Sequence, residues 1–428
     1  MRRLDHEVVV TSVGVMARDR YDVVIVGAGL AGLRAAQILD GHGLAVLVVD
    51  QLAHIGGRVH SFEVDGFVID DGFQLVNPSY PELRASGVLP ALDLRSFPGL
   101  LTFVGAEVNW TLADPRRWPL RALANVVRSR PRPLDAWALA RLAAVARLSS
   151  AARLTQVTDT TSREGLRDAG LSARAIDEVV GPFLRGALLD DELETSWRYS
   201  RLLIKSFVSG RPATPATGAG QLPRALAASA SRVEFRLSEQ VQRVSAHRVL
   251  SEEGEWRADA VLVATDQDGA ASLVGGPTAG WRATTTWWFS TPRVARGERL
   301  RLDGSGYGFA SMLDLASVAP QRAPAGRSLI AVAINGVDES RADVLARYVS
   351  RAYGVALRDV QLIVRTVVPH ALPRVVVPLD LTRSSRRDGV FVAGDYLQTP
   401  SIQGALVSGR RAAKVILADL GVRATARA

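Results

Sequence analysis

Residues 21–26 (YDVVIV) are an unbroken, largely β-branched run, the pattern of a strand buried on both faces. Gly27-Ala28-Gly29-Leu30-Ala31-Gly32 follows at once, in the spacing G-x-G-x-x-G. Leu30, Leu33, Ala36 and Ile38 then recur at roughly helical spacing, and Gly41 and Gly43 mark a helix end. Residues 45–49 read as a second buried strand, closed by Asp50. This strand, turn, helix and strand have the length of a parallel βαβ unit. The first glycine of such a turn permits its tightness, the second lets a pyrophosphate reach the backbone, and the third lets helix and strand pack closely. Free amides and a partial positive charge at the helix start suit the same anion. Asp50 stands where a carboxylate accepts hydrogen bonds from a ribose.

Glycines also make ordinary turns, so the neighbouring segments matter. Ala53-His54-Ile55-Gly56-Gly57-Arg58 puts a tight backbone and a guanidinium just past the acidic strand end, suited to a second approach to the pyrophosphate. Residues 63–70 read as a strand pair around Asp65-Gly66. Asp70-Asp71-Gly72-Phe73-Gln74 then sets a glycine where a flat ring could lie against the main chain. Near the other end, a strand over 389–393 runs into Gly394-Asp395. Pro400-Ser401-Ile402-Gln403-Gly404-Ala405 leads into a helix reaching 420.

Between these ends, helices are predicted over 115–153, 162–169, 172–188, 193–207, 221–231 and 340–353. Strands are predicted over 232–244, 258–264, 283–290, 306–314 and 327–334, the last three in a separate sheet. The Gly/Pro/Thr-rich stretch 210–220 reads as a crossing between domains.

Taken together, these motifs resemble the flavin amine oxidase superfamily, which includes amine oxidases, protoporphyrinogen oxidases and phytoene desaturases. The resemblance covers the two ends and the middle crossing, about half the chain. It implies an α/β fold: a discontinuous Rossmann-type FAD-binding domain (20–88, 212–276 and 378–420) and a substrate domain of mixed sheet and helices (89–211 and 277–377). Residues 1–19 are left as an extension and 421–428 as a tail. FAD is the implied cofactor, held without a covalent bond. Gly27, Ala28, Gly29, Leu30, Ala31 and Gly32 would meet its pyrophosphate, with Gly56, Gly57 and Arg58. Asp50, where the family more often has glutamate, would bind the ribose. The backbone of Val241 would pair with adenine, and Asp395 would meet the ribityl–phosphate region. Gly72, Phe73 and Gln74, with Ser401, Ile402, Gln403, Gly404 and Ala405, would flank the isoalloxazine. Substrate-side candidates are His370, Trp287, Trp288 and Tyr396.

The resemblance also separates branches. Amine oxidases of the superfamily typically keep a lysine near the flavin on strands of the substrate domain. This chain has only Lys205 and Lys414, and neither falls in 283–290 or 306–314. A desaturase or dehydrogenase acting on a small, apolar substrate is therefore the expected branch, with oxygen, a quinone or another acceptor taking the electrons. An amine oxidase producing hydrogen peroxide, or a flavin-binding protein without catalysis, remains the alternative.

Other chemistries lack their residues. With no cysteine there are no disulfides, thiolate metal sites or cysteinyl flavin link. The six histidines show no metal-binding spacing, so no metal is expected. The net charge of +9 comes with no nucleic-acid-binding motif. Most of it lies in residues 114–153, with nine arginines against two aspartates, and Trp118, Trp137 and several leucines interleaved. That mixture suits either a solvated helical cap or a helix lying in a membrane surface. A cytoplasmic location is expected, peripheral at the inner face of a membrane in the second case. Met1-Arg2-Arg3 faintly suggests a signal peptide, but Asp5, Glu7 and Gly14 interrupt the pattern.

Overall fold

The computed structural model describes residues 20–104, 110–114, 117, 118, 120, 132–294, 297–303, 306 and 308–422. Strand β1 (Arg20–Val26), helix α1 (Leu30–Gly41) and strand β2 (Val46–Val49) build the first βαβ unit. Both strands are buried on two sides because both faces are covered. Val23 and Ile25 pack toward Ala31, Ala35 and Leu39 of α1, while Val24 and Val26 pack on the opposite face with Val261 and Val263. The hairpin β3 (Ser61–Val64) and β4 (Phe67–Asp70) turns at Asp65-Gly66, and both turn residues have positive φ, as a tight two-residue hairpin needs. A short helix, α2 (Pro81–Ala85), follows.

Helices α3 (Pro133–Leu148) and α4 (Trp197–Ser209) belong to a helical lobe cored by Leu166, Ile176, Leu184, Leu193, Trp197 and Leu203. The predicted helix over 172–188 is present but contains a π turn at Ile176–Val180. Of the segment predicted helical over 115–153, most of 115–131 lies outside the described residues.

The chain returns to the first sheet at Glu234–Arg236, and strand β5 (Glu255–Val263) then lies beside β1. The second sheet takes β6 (Trp281–Pro292), β7 (Arg327–Asn335) and β8 (Gln361–Pro373), with helix α5 (Ala342–Tyr353) packed on one face. Strand β9 (Val390–Val392) and helix α6 (Ile402–Asp419) close the chain onto the first unit. The parallel strands of the first sheet run in the order Glu234–Arg236, β2, β1, β5, β9. In such a doubly wound sheet, ligands bind beyond the carboxyl ends of the strands.

Among the described residues the second sheet has seven strands, ordered β8, β6, β7, Ser311–Asp314, Leu300–Asp303, Leu100–Val104, Trp110–Ala113. Four of these, β8 and the strands at 300–303, 100–104 and 110–113, depart from the sequence expectation. In β8 the reason is physical. Pro369 and Pro373 read as loop residues, but β8 is the edge strand, where a missing amide costs no ladder bond. Its register with β6 slips between Thr284↔Val368 and Arg282↔Leu372, so Pro369-His370-Ala371 form a bulge.

One wholly buried ion pair joins the parts. Arg322 lies 2.9 Å from Asp70 at the end of β4, and both side chains are 0% exposed. Ser61 Oγ (2.6 Å) and the Ala219 amide (2.9 Å) also donate to Asp70, while Arg322 donates to Thr214 Oγ1 (3.1 Å). Hairpin, crossing segment and second sheet thus meet at one carboxylate. Removing either partner would leave an uncompensated buried charge.

Candidate functional site

The carboxyl ends of β1, β2, β5 and β9 gather residues distant in sequence: Gly27–Gly32, Asp50, Ala264-Thr265 and Gly394-Asp395. The three glycines of the first turn have different surroundings. Gly27 has φ +112°, and a Cβ there would lie 2.7 Å from Ala264 O. A Cβ on Gly32 would lie 2.0 Å from Gly27 O. Gly29 has φ −71°, and a Cβ there would meet nothing within 4 Å. Packing therefore demands glycine at 27 and 32, whereas at 29 the backbone simply faces open space. Gly29 is the N-cap of α1 without a side-chain cap, so the first-turn amides there have no side-chain acceptor. Open space before uncapped amides is a cradle for an anion, and the residues present fit a pyrophosphate.

The Gly-Gly-Arg segment docks directly on this turn. The Gly56 amide donates to Ala28 O at 2.8 Å, and Gly29 and Gly56 form a parallel bridge. The rings of His54 and His60, at either end of the segment, stack at 3.7 Å, and His60 lies 3.3 Å from Asp71. Burial and the neighbouring His60 hold His54 below the usual histidine range. Arg58 reaches across to the other sheet. It donates to Ala371 O on the β8 bulge (2.7 Å) and to Asp395 (2.7 Å), and lies 5.6 Å from the centre of the Trp281 ring. The bulge thus turns a carbonyl toward the guanidinium of the Gly-Gly-Arg segment.

Asp50 accepts the amides of Ala28 (2.6 Å) and Leu52 (2.8 Å), one on each oxygen. Burial raises its pKa, and those two amides pull it back. Each oxygen keeps a further lone pair with which a ribose hydroxyl could bond. The amides of Ser238 and Glu239 bond Leu52 O and Asp50 O, which brings the start of Val241–Ser245 to the same end.

On the other side, a Cβ on Gly72 would lie 3.4 Å from Val368 and 3.7 Å from Thr284, so this backbone runs close against β8 and β6. The Phe73 amide donates to Thr286 Oγ1 (3.2 Å), and Gln74 donates to Arg58 O (2.8 Å). Helix α6 begins at its N-cap Ser401, whose hydroxyl accepts the Gly404 amide (3.0 Å). The amides of Ile402 and Gln403 have no partner within the helix. The Gln403 side chain accepts the amide of Glu82, fastening α6 to α2 rather than facing the cleft.

The substrate-side candidates separate. Trp287 is buried with Phe289, Met312 and Leu345 against α5. Trp288 is wholly buried on the opposite face with Phe67 and Ile69, and its Nε1 donates to Thr366 (3.0 Å). Neighbours in a strand point to opposite faces, so one tryptophan faces α5 and the other the hairpin. His370 is half exposed and stacks on Trp281 at 4.7 Å. Tyr396 has a buried hydroxyl with no hydrogen-bond partner among the described residues. It faces a cavity of about 20 Å³ lined also by Gln267, Gln398 and Pro400.

Two residues of the site carried no sequence signal. Tyr199 on α4 donates to Pro400 O at 2.7 Å, just before the α6 turn. Tyr80 packs against the same apolar cluster as Ile402 and Ala405, and burial pushes its hydroxyl up to about 12. A lone tyrosine in a helix or loop is ordinary, and only the packed fold distinguishes these two. Among the described residues, no group of three or more histidines and carboxylates could hold a metal.

A family model described as flavin containing amine oxidoreductase matches residues 30–417. Putrescine oxidase of Kocuria rosea is 45% identical over 64 residues, 15% of this chain and 13% of that one. Pseudooxynicotine dehydrogenase of a Pseudomonas species is 27% identical over 271 residues, covering 57% of this chain and 51% of that protein. Hydroxyneurosporene desaturase of Rubrivivax gelatinosus is 48% identical over 52 residues, 12% and 10% of the two chains. The chain thus spans about half the length of one of these relatives and little more than a tenth of the other two. The crystal structure of an oxidoreductase from Methanosarcina mazei matches with a TM-score of 0.72 at 16% identity, covering 92% of this chain and 99% of that one; this likeness is one of fold.

Proposed function

Since this chain belongs to the flavin-containing amine oxidoreductase family, an FAD-dependent family, we propose that it moves a hydride from an apolar substrate to non-covalently held FAD. The flavin supplies the redox chemistry when bound. The protein's part is to hold and to polarise. Gly27–Gly32, Gly56, Gly57 and Arg58 would hold the pyrophosphate, Asp50 the ribose, Val241 the adenine and Asp395 the ribityl region. Gly72, Phe73 and Gln74, with Ser401–Ala405, would hold the ring. The α6 amides there would favour negative charge on it. Residues 20–88, 212–276 and 378–420 form the cofactor unit, and 89–211 and 277–377 form the substrate unit.

The observation that carries the choice of substrate is the wall facing residues 67–75. It consists of Thr284, Thr286 and Trp288 on β6 with Thr366 and Val368 on β8, none of them ionisable. Neither lysine is near it: Lys205 donates to Ala146 O and Ser149 O (3.2 and 2.8 Å), capping the end of α3, and Lys414 is on the exposed side of α6. Anaerobic mixing of the FAD-loaded protein with a polyene, a porphyrinogen and a primary amine tests the proposal. Bleaching of the flavin by one of the apolar donors supports it. Rapid bleaching by the amine alone would replace it with amine oxidation. No bleaching by any donor would leave flavin binding without catalysis. Oxygen or a quinone would reoxidise the reduced protein.

The exposed apolar residues of α3 support a peripheral membrane contact. Leu134, Trp137 and Leu148 of α3 are 78%, 63% and 85% exposed, and Arg141 lies 5.2 Å from the Trp137 ring. Asp135, the acid of this helix, is buried and accepts from Ser172 instead. Trp118 does not share this surface, because its Nε1 donates to Pro98 O (3.0 Å). Among the described residues no helix is long and apolar enough to cross a membrane.

A further inference from the structure

The first turn of α4 grips the C-terminal segment at two points. The N-cap Ser196 is wholly buried and donates to Asp159 (2.8 Å). The same carboxylate accepts the amides of Arg198 (3.0 Å) and Leu379 (2.6 Å). Tyr199, in the same turn, donates its hydroxyl to Pro400 O (2.7 Å). Both ends of 379–400 are therefore fixed to one helical turn, and that stretch carries β9, Gly394 and Asp395. Tyr199 is 5% exposed, and burial pushes its hydroxyl far above the usual tyrosine range, so it remains a neutral donor.

The turn it holds is tight. A Cβ on Gly404 would lie 1.9 Å from Thr399 O, and the Ser401 hydroxyl already accepts the Gly404 amide. A shift of the Pro400 carbonyl is therefore passed on to the amides of Ile402 and Gln403. Farther along α4, Leu203 and Ile204 are buried in the core of the helical lobe, to which Tyr199 also belongs. One hydroxyl thus stands between that lobe and the start of α6.

We infer that Tyr199 is a positioning residue that aims the first-turn amides of α6 at the flavin, so that its hydrogen bond to Pro400 tunes the flavin's reduction potential. The inference rests on the FAD reading above, because it needs the isoalloxazine to lie against this turn. Loss of one buried neutral hydrogen bond is expected to shift the oxidised–reduced equilibrium about tenfold toward the oxidised form, which is about 30 mV for a two-electron couple.

The test uses the purified full chain loaded with FAD. FAD stoichiometry, midpoint potential and Tm are measured for wild type, Tyr199→Phe, Asp159→Asn and Leu203→Ala. Tyr199→Phe should keep one FAD per chain and become harder to reduce by about tenfold. Asp159→Asn, which weakens the tie at Leu379, should shift the potential in the same direction, and it carries the test if Tyr199→Phe does not fold. Leu203→Ala should lower Tm without moving the potential. An unchanged potential in a folded, FAD-loaded Tyr199→Phe protein would overturn the inference. So would an equal shift in Leu203→Ala, which would reduce Tyr199 to a packing residue. Failure of the wild-type chain to bind FAD at all would instead overturn the reading on which the inference rests.

Discussion

Gly29→Ala separates cofactor binding from folding, because this glycine's backbone faces open space. At φ −71° the backbone accepts any residue, and the added Cβ meets nothing within 4 Å. Two small effects on stability then oppose each other. Alanine is a poorer N-cap than glycine, by roughly 0.5–1 kcal/mol, while the loss of chain entropy in the unfolded state returns about 0.4–1 kcal/mol. The apoprotein should therefore melt near the wild-type temperature. The cofactor has no such tolerance. A methyl group about 1.5 Å beyond the Cα would displace the pyrophosphate from the first-turn amides. Losing two charge-assisted hydrogen bonds of roughly 1.5–3 kcal/mol each weakens binding by about 3–6 kcal/mol, on the order of 10²–10⁴ in Kd. Gly32→Ala is the contrasting variant. Its Cβ would lie 2.0 Å from Gly27 O, so the fold itself should lose at least about 1–3 kcal/mol. The assay is a fluorescence titration of apoprotein with FAD, beside thermal melts with and without FAD. Wild type should gain about 4 kcal/mol at a thousandfold excess of FAD over its Kd, and Gly29→Ala at the same FAD concentration at most about 1.4 kcal/mol. A Gly29→Ala protein that binds FAD with wild-type affinity would refute the assigned pyrophosphate site.

Arg58→Ala removes the ties to Ala371 and Asp395 together, and should yield apoprotein whose FAD affinity, read by the same titration, falls at least about 100-fold. Arg58→Lys keeps the charge without the planar fork and should fall between the two. Asp314 is buried at the end of its strand, and burial raises its carboxyl to about 6. Because the folded pKa lies above the unfolded value, the native state binds this proton more tightly. The penalty of about 3 kcal/mol is full above pH 6 and is relieved as pH falls toward 4. The stability of Asp314→Asn relative to wild type should therefore change with pH between 4 and 6 and be flat above, as read by chemical denaturation across that range. Trp137→Ala should weaken cosedimentation with anionic liposomes, which for the wild type should be strong at low salt, weaker at high salt and weakest on neutral lipid. A wild-type protein that fails to sediment with anionic liposomes at low salt would remove the membrane contact and point to a water-soluble substrate.

What the residues determine by themselves is what a backbone must do locally. The tight turn at Gly27, the close packing at Gly32, the Asp65-Gly66 hairpin and the β-branched runs of the parallel sheet are each a demand that one residue type answers within a few positions of itself. For that reason the first sheet and its turns could be read from the two ends of the chain. The second sheet could not be read so fully, because its key features depend on partners far along the chain. Pro369 and Pro373 argue against a strand until β8 proves to lie at an edge. A register slip against β6 makes the bulge that offers Ala371 O to Arg58. Whether Trp287 or Trp288 faces the hairpin depends on strand pairing, since one step along a strand reverses the face. Gln403 lies in the motif, yet its side chain caps α2. Tyr199 has no motif around it, and it acquires a role only because α4 packs where the carbonyl of Pro400, some two hundred residues later, needs a donor.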